Sequence, residues 1–282
     1  MSTTATITAA DVNKLRQQTG AGMMDCKKAL TEANGDFEAA IDYLRKKGQK
    51  IAVNRSDKEA NEGLVIAKVT PDGKRGAMIV INCETDFVAK NAEFIADATA
   101  FLDIAIEKNP ASIDEFKTLT MSNGLKVSDK LFDIIGKIGE KIDITAYEVI
   151  EAARVIVYNH PGNKLASMVG LTSATPANID EVGKEVAMQI AAMNPVAVDK
   201  DSVDPKMIER EIEIGKDQAR QEGKPEDMIE KIALGKLNKF YKESTLLNQT
   251  YIKDEKKTIA QFLNDVEKGL TVKAFKRIRL GA

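Results

Sequence analysis

Along the first fifty residues the apolar positions return every three or four places, the spacing of one helix face. Val12 and Leu15 make a stripe that starts behind Thr8 and Asp11, spaced as a capping box, and stops at Thr19-Gly20-Ala21-Gly22. Met23, Cys26, Ala29, Leu30 and Ala33 repeat the period as far as Asn34-Gly35. Asp36 then caps a third stretch whose inner face is Phe37, Ala40, Ile41 and Leu44. The pattern predicts a three-helix bundle over residues 1–48, small enough to need little more than these side chains as its core. From 49 to 62 the chain is polar, mixed in charge and without period, which predicts a linker about which the bundle moves.

Past the linker the chain repeats itself at an offset of ninety residues. Val65-Ile66, Pro71, Lys74 and Met78 match Val155-Ile156, Pro161, Lys164 and Met168. Each copy reads as a β-hairpin, with turns at Thr70-Pro71-Asp72-Gly73 and His160-Pro161-Gly162-Asn163. Each leads into an alanine-rich helical stretch that stops at Asn-Pro, Phe94 to Pro110 in one and Val182 to Pro195 in the other. Gly136 and Gly139 mark a helix end turning into a strand at Ile142. The fold class expected is therefore α+β, with two duplicated subdomains over 63–143 and 144–282. The second copy carries an insertion at about 204–242. Asp204 and Pro205 start a helix running to about Glu222, Gly223-Lys224-Pro225 reverses the chain, and a second helix runs to about Tyr241. Ile208, Ile212 and Ala219 facing Ile229, Ile232, Ala233, Leu237 and Phe240 predict an antiparallel coiled-coil hairpin. A helix at Thr258 to Glu267 and a strand at Leu270 to Leu280 follow.

Charge and chemistry narrow the function classes. At 282 residues, 41 Lys and Arg stand against 43 Asp and Glu, a net charge of −2, so no global field draws the chain to nucleic acid or anionic lipid. The start of the chain lacks a basic stretch followed by an apolar one, and no run of eighteen apolar residues occurs, so a cytoplasmic protein with no membrane partner is expected. Cys26 and Cys83 form no Cys-x-x-Cys pair and read as small buried hydrophobes. His160 is the only histidine, which excludes sites built on several imidazoles and leaves metal binding and triad chemistry without support. No phosphate-cradling glycine motif occurs, so neither direct nucleotide binding, nor a cofactor, nor an enzyme activity is expected.

One segment stands out against this background. Gly76 to Cys83 reads as a strand, and Thr85-Asp-Phe-Val-Ala-Lys-Asn91 closes it and opens a helix. A phenylalanine beside an acid at such a turn is poorly placed for a core and well placed to enter a partner. This stretch, together with Leu15-Arg-Gln-Gln-Thr-Gly-Ala-Gly-Met-Met-Asp-Cys-Lys-Lys-Ala-Leu-Thr-Glu-Ala-Asn-Gly-Asp36, closely resembles the two signatures of the bacterial translation elongation factor Ts family. The similarity extends over the whole chain, duplicated core and inserted hairpin included.

The resemblance implies a guanine nucleotide exchange factor that binds GDP-bound elongation factor Tu and speeds GDP release. It places Thr85, Asp86, Phe87 and Val88 at the turn that enters the GTPase and helps to displace its magnesium ion. It places Arg16, Met23, Met24 and His160 at contacts with the same partner. Some family members continue beyond the last strand with a further helical module, whose contacts are expected to be absent here. From the residues alone, one of Met23 and Met24 should be core and the other outward. Two rivals stand beside this reading. Bundles of this size resemble ubiquitin-associated domains, which bind without exchange. Lys273-Ala-Phe-Lys-Arg-Ile-Arg279 suggests RNA binding, although as a strand it splits its basic residues between two faces, and no nucleic-acid partner is expected.

Overall fold

In the computed structural model, which describes residues 6–281, the capping box forms at Thr8. Asp11 N donates to Thr8 Oγ1 at 3.2 Å and Thr8 N donates to the Asp11 carboxylate at 3.0 Å, which starts α1 (Ala9–Thr19). Helix α2 spans Met23–Glu32, and Asp36 caps α3 (Phe37–Asn54) by accepting from Ala39 N at 3.0 Å. Val12, Leu15, Ala21, Cys26, Ala29, Leu30, Ala40 and Leu44 close the bundle core, with Phe37 and Ile41 half-buried at its edge.

Helix α3 does not stop where the sequence reading ends it. It continues through Gly48 to Asn54, so residues 49–54 of the expected linker are helical. The period lapses there because α3 changes its partner. Gly48 is buried against a later helix (Val127–Ile138), where a Cβ would lie 2.0 Å from Phe132 O, and Gly136 faces it across the contact. The glycine at the expected end of the bundle is instead what lets two backbones approach.

The strands β1 (Glu62–Val69) and β2 (Arg75–Cys83) form the first hairpin. After it come α4 (Asp86–Ala89), α5 (Ala92–Lys108), α6 (Ile113–Thr118), α7 (Val127–Ile138) and β3 (Asp143–Glu151). The repeat copies this plan with β4 (Arg154–Asn159), β5 (Leu165–Leu171) and α8 (Ile179–Met193). Both α5 and α8 end at an asparagine in the left-handed region, Asn109 at φ 49° and Asn194 at φ 47°, each followed by proline. Helices α9 (Pro205–Gln221) and α10 (Glu226–Ser244) form the inserted hairpin, and β6 (Thr250–Tyr251), β7 (Asp254–Thr258), α11 (Ile259–Val266) and β8 (Val272–Arg279) complete the chain. The strand orders β1-β2-β3 and β4-β5-β8 share one construction, a hairpin with a third strand added beside its second. In the latter sheet both pairings are antiparallel, with Ile156 opposite Val169 and Val169 opposite Phe275. The architecture is α+β.

The chain divides into two compact units. One holds the described residues up to Ile66, Ile79–Tyr147 and the end of the chain after Arg279; the other holds Ala67–Met78 and Glu148–Arg279. Phe94, Phe101, Phe116 and Ile134 are among the buried side chains of the first. In the second, Val169, Leu171, Val186 and Ile190 pack with Leu246, Ile259 and Leu263. Along the inserted hairpin the buried seam is Gly215, Ala219, Ile229, Ala233 and Leu237. Ile208, Ile212, Ile232 and Phe240, which the periodicity assigns to it, are only half-buried, because small residues bring the arms together. A Cβ on Gly215 would sit 3.1 Å from Ala233 Cα. Among the described residues, no helix is long and apolar enough to cross a membrane.

Candidate functional site

Strand β2 delivers the chain to the Thr85–Val88 turn with its direction fixed by buried neighbours. Ala77 to Ile81 are all buried, as is Cys83, whose Sγ donates to Thr85 O at 3.2 Å. Thr85 is the N-cap of the single-turn helix α4, and its hydroxyl accepts from Val88 N at 3.5 Å. A residue remote in sequence fastens the same corner. Glu140 accepts from Glu84 N and Thr85 N, each at 3.1 Å, and from Thr85 Oγ1 at 2.7 Å. The neighbouring acid reciprocates: Glu84 accepts from Lys141 N at 2.6 Å and from Arg55 Nη1 at 2.9 and 2.7 Å.

Past the corner, Ala89 is buried and Asn91 caps α5 by accepting from Glu93 N at 2.9 Å and Phe94 N at 3.3 Å. The turn is thus held on both sides, and the side chain between them is free. Phe87 is 83% exposed, while Val88 is half-buried. A large apolar ring held out on a fixed base adds little to the fold's own core. Asp86 forms an i,i+4 ion pair with Lys90 at 2.6 Å, and this pairing raises the Lys90 ammonium above its ordinary pKa. Both groups are well exposed, so the pair adds little to stability. Burial, with Glu140 and Glu62 nearby, pushes the Cys83 thiol up to about 12, which suits an inert packing residue.

The other predicted contact residues lie on other elements. Arg16 is exposed in the last turn of α1. Met23 is 51% exposed and Met24 75% exposed, so the expectation that one of them is core does not hold. Met23 is the first residue of α2, and the buried positions begin at Cys26, almost one turn later. The loop that precedes it, Thr19 to Gly22, is tied to the same unit as the turn. A Cβ on Gly20 would meet Lys137 Nζ at 2.8 Å, and Lys137 forms an ion pair with Glu93 at the start of α5. His160 belongs to the other unit and is exposed in the β4–β5 turn, where Nδ1 lies 2.9 Å from the Tyr158 hydroxyl. Three of the four basic residues of β8 read for RNA are engaged within the chain, and Arg279 is exposed. Arg277 Nε donates to Ala191 O at 3.1 Å, Phe275 packs on the core, Lys273 donates to Glu151 O at 2.9 Å, and Lys276 pairs with Glu148 at 2.7 Å.

Comparison with known proteins gives the family. The model of the family described as elongation factor TS matches residues 84–282, beginning at the acid that anchors the turn. The chain is 55% identical to the elongation factor Ts of Cytophaga hutchinsonii over 98% of its length and 99% of that protein's. It is 52% identical to that of Amoebophilus asiaticus with the same coverage of both, and 41% identical to that of Chloroherpeton thalassium, again over 98% and 99%. The chain belongs to the elongation factor Ts family. Membership places it among the translation elongation factors.

For this member of the elongation factor Ts family, the sequence singles out the turn Thr85 to Val88 but not the residues that fasten it. Glu84, Glu140, Lys141 and Arg55 carry no motif. The only available signal was a pair of acids, one directly before Thr85 and one directly after the Gly136–Gly139 helix end.

Proposed function

We propose that this chain is a guanine nucleotide exchange factor for elongation factor Tu: it binds the GDP-bound GTPase, helps to displace magnesium, and promotes GDP release for exchange to GTP. The observation that carries this reading is Phe87, 83% exposed at the tip of a turn whose base is hydrogen-bonded in place. A rigid apolar tip spends little conformational entropy on insertion, so more of its burial free energy acts on the partner. Magnesium bridges nucleotide oxygens and GTPase ligands, and a factor that shifts those ligands weakens GDP by the coupling free energy it supplies. Reciprocity makes bound GDP weaken the factor in turn.

Phe87 is not the whole device. Burying one phenylalanine is worth roughly 1.5–3 kcal/mol, whereas weakening a nucleotide a thousandfold needs about 4 kcal/mol. Thr85, Asp86 and Val88 shape and flank the tip, and Arg16, Met23, Met24 and His160 supply the wider contact. The adjacent exposed methionines offer a soft, adaptable apolar surface for it. In this reading the bundle is a UBA-like docking module and the α9–α10 pair a coiled-coil arm. The chain acts in the cytoplasm, performs no catalytic step, and needs no cofactor, metal, nucleic acid or membrane of its own. Stopped-flow release of a fluorescent GDP from elongation factor Tu tests the proposal. Acceleration that grows with factor concentration is expected, and an unchanged rate at micromolar factor overturns it.

A further inference from the structure

We infer that Glu140 is a positioning residue for exchange, the clasp that sets the attitude of the Phe87 turn; the inference rests on the exchange reading and deepens it. Glu140 lies fifty-five positions from Thr85, just beyond the Gly139 cap of α7, and touches the turn only at its root. Its two oxygens take both backbone amides of Glu84 and Thr85 and the hydroxyl of Thr85. These are the amides of a chain reversal, with no strand partner for Thr85 N and no intrahelical acceptor at the start of α4. A carboxylate facing three donors ties them to one point, and together these bonds fix where the next side chains point. The Thr85 hydroxyl is the hinge of the arrangement: it donates to Glu140 and accepts from Val88 N, so the clasp reaches across Phe87.

The clasp is double. While Glu140 holds Glu84 and Thr85, Glu84 holds Lys141 N, and Lys141 Nζ donates to Ser56 O at 2.6 Å and Lys58 O at 3.0 Å. Arg55, the C-cap of α3, closes the set on Glu84. The exit of the N-terminal bundle and the root of the tip therefore share one pair of carboxylates. A contact that moves α3 is felt at Phe87 through hydrogen bonds rather than through solvent.

The test is a double-mutant cycle on the full chain with elongation factor Tu, read by GDP release, beside amide hydrogen exchange on the factor alone. Glu140→Ala is expected to slow GDP release at saturating factor at least about fivefold, and to speed hydrogen exchange at residues 84–91 while α5 keeps its protection. Glu140→Gln keeps one acceptor oxygen and is expected to fall between. In a Phe87→Ala background, Glu140→Ala is expected to have little further effect, because the clasp acts through that ring. Parent-like release by Glu140→Ala, an undiminished effect in the Phe87→Ala background, or unchanged exchange at 84–91 would each overturn the inference. Should the parent itself fail to release GDP, the exchange reading falls, and the hydrogen-exchange arm still decides whether Glu140 holds the turn.

Discussion

Replacing Phe87 by alanine separates binding work from folding work within one segment. The ring is 83% exposed, so truncation removes almost none of the burial that stabilises the chain itself. Surface substitutions of this kind stay within about 0.5 kcal/mol. Full burial of a phenylalanine is worth roughly 1.5–3 kcal/mol, and the exposed share available to a partner is then about 1.2–2.5 kcal/mol. At ~1.36 kcal/mol per decade, Phe87→Ala should slow stimulated GDP release about eightfold to seventyfold. Phe94, seven residues on, is the control: it is 1% exposed, and Phe94→Ala should cost about 3–5 kcal/mol of stability through the cavity it leaves. Thermal unfolding by circular dichroism and stopped-flow release on the same samples give both numbers. A Phe87→Ala release rate within about twofold of the parent would refute the reasoning, since burial of the ring predicts a larger loss. So would a loss of stability matching that of Phe94→Ala.

Three further outcomes follow from the geometry around the turn. Gly48→Ala puts a Cβ 2.0 Å from Phe132 O, so urea unfolding should show a loss of about 1–3 kcal/mol, and an unchanged midpoint would mean that α3 and α7 do not pack as described. Cys83, its thiol pushed up to about 12 mainly by burial, should stay unmodified by a thiol reagent at pH 8 until the chain unfolds; rapid labelling of the native protein at that residue would contradict its burial. Burial works to raise the Glu84 carboxyl, but the Lys141 amide and Arg55 outweigh it and hold it below its ordinary value. A lowered folded-state value stabilises fully above the unfolded value and is lost as pH falls through the folded one. Arg55→Met should therefore flatten the acid loss of stability that the parent shows below about pH 5, in denaturant titrations compared at each pH. The comparison with the parent matters because half-buried Asp133 shifts the opposite way, mainly through desolvation; identical pH profiles for both proteins would remove the Arg55–Glu84 contribution.

Local signals in the sequence carried much of the fold. Thr8 with Asp11, Asp36, Asp204 with Pro205, and the two Asn-Pro stops each act within four residues, and each sits where its element begins or ends. The internal repeat held for the same reason, since a hairpin followed by a helix is written in neighbouring residues. What failed depended on distant partners. The bundle reads as ending at residue 48 because nothing near Gly48 announces Gly136, and one of Met23 and Met24 reads as core because period alone does not say where a bundle ends. The site divides likewise. Phe87 stands out in the sequence as a phenylalanine beside an acid at a turn within a family signature, whereas Glu140 does not, because its hydrogen bonds go to two amides and a hydroxyl some fifty-five positions earlier.

A magnesium titration of GDP release is the most direct test of the central claim, comparing the parent with Phe87→Ala on elongation factor Tu. If the tip works by displacing the ion, the defect of Phe87→Ala is largest at millimolar magnesium and fades as chelator removes it, until the two factors act alike. A defect of the same size with and without magnesium would contradict the account and leave Phe87 as a contact residue only.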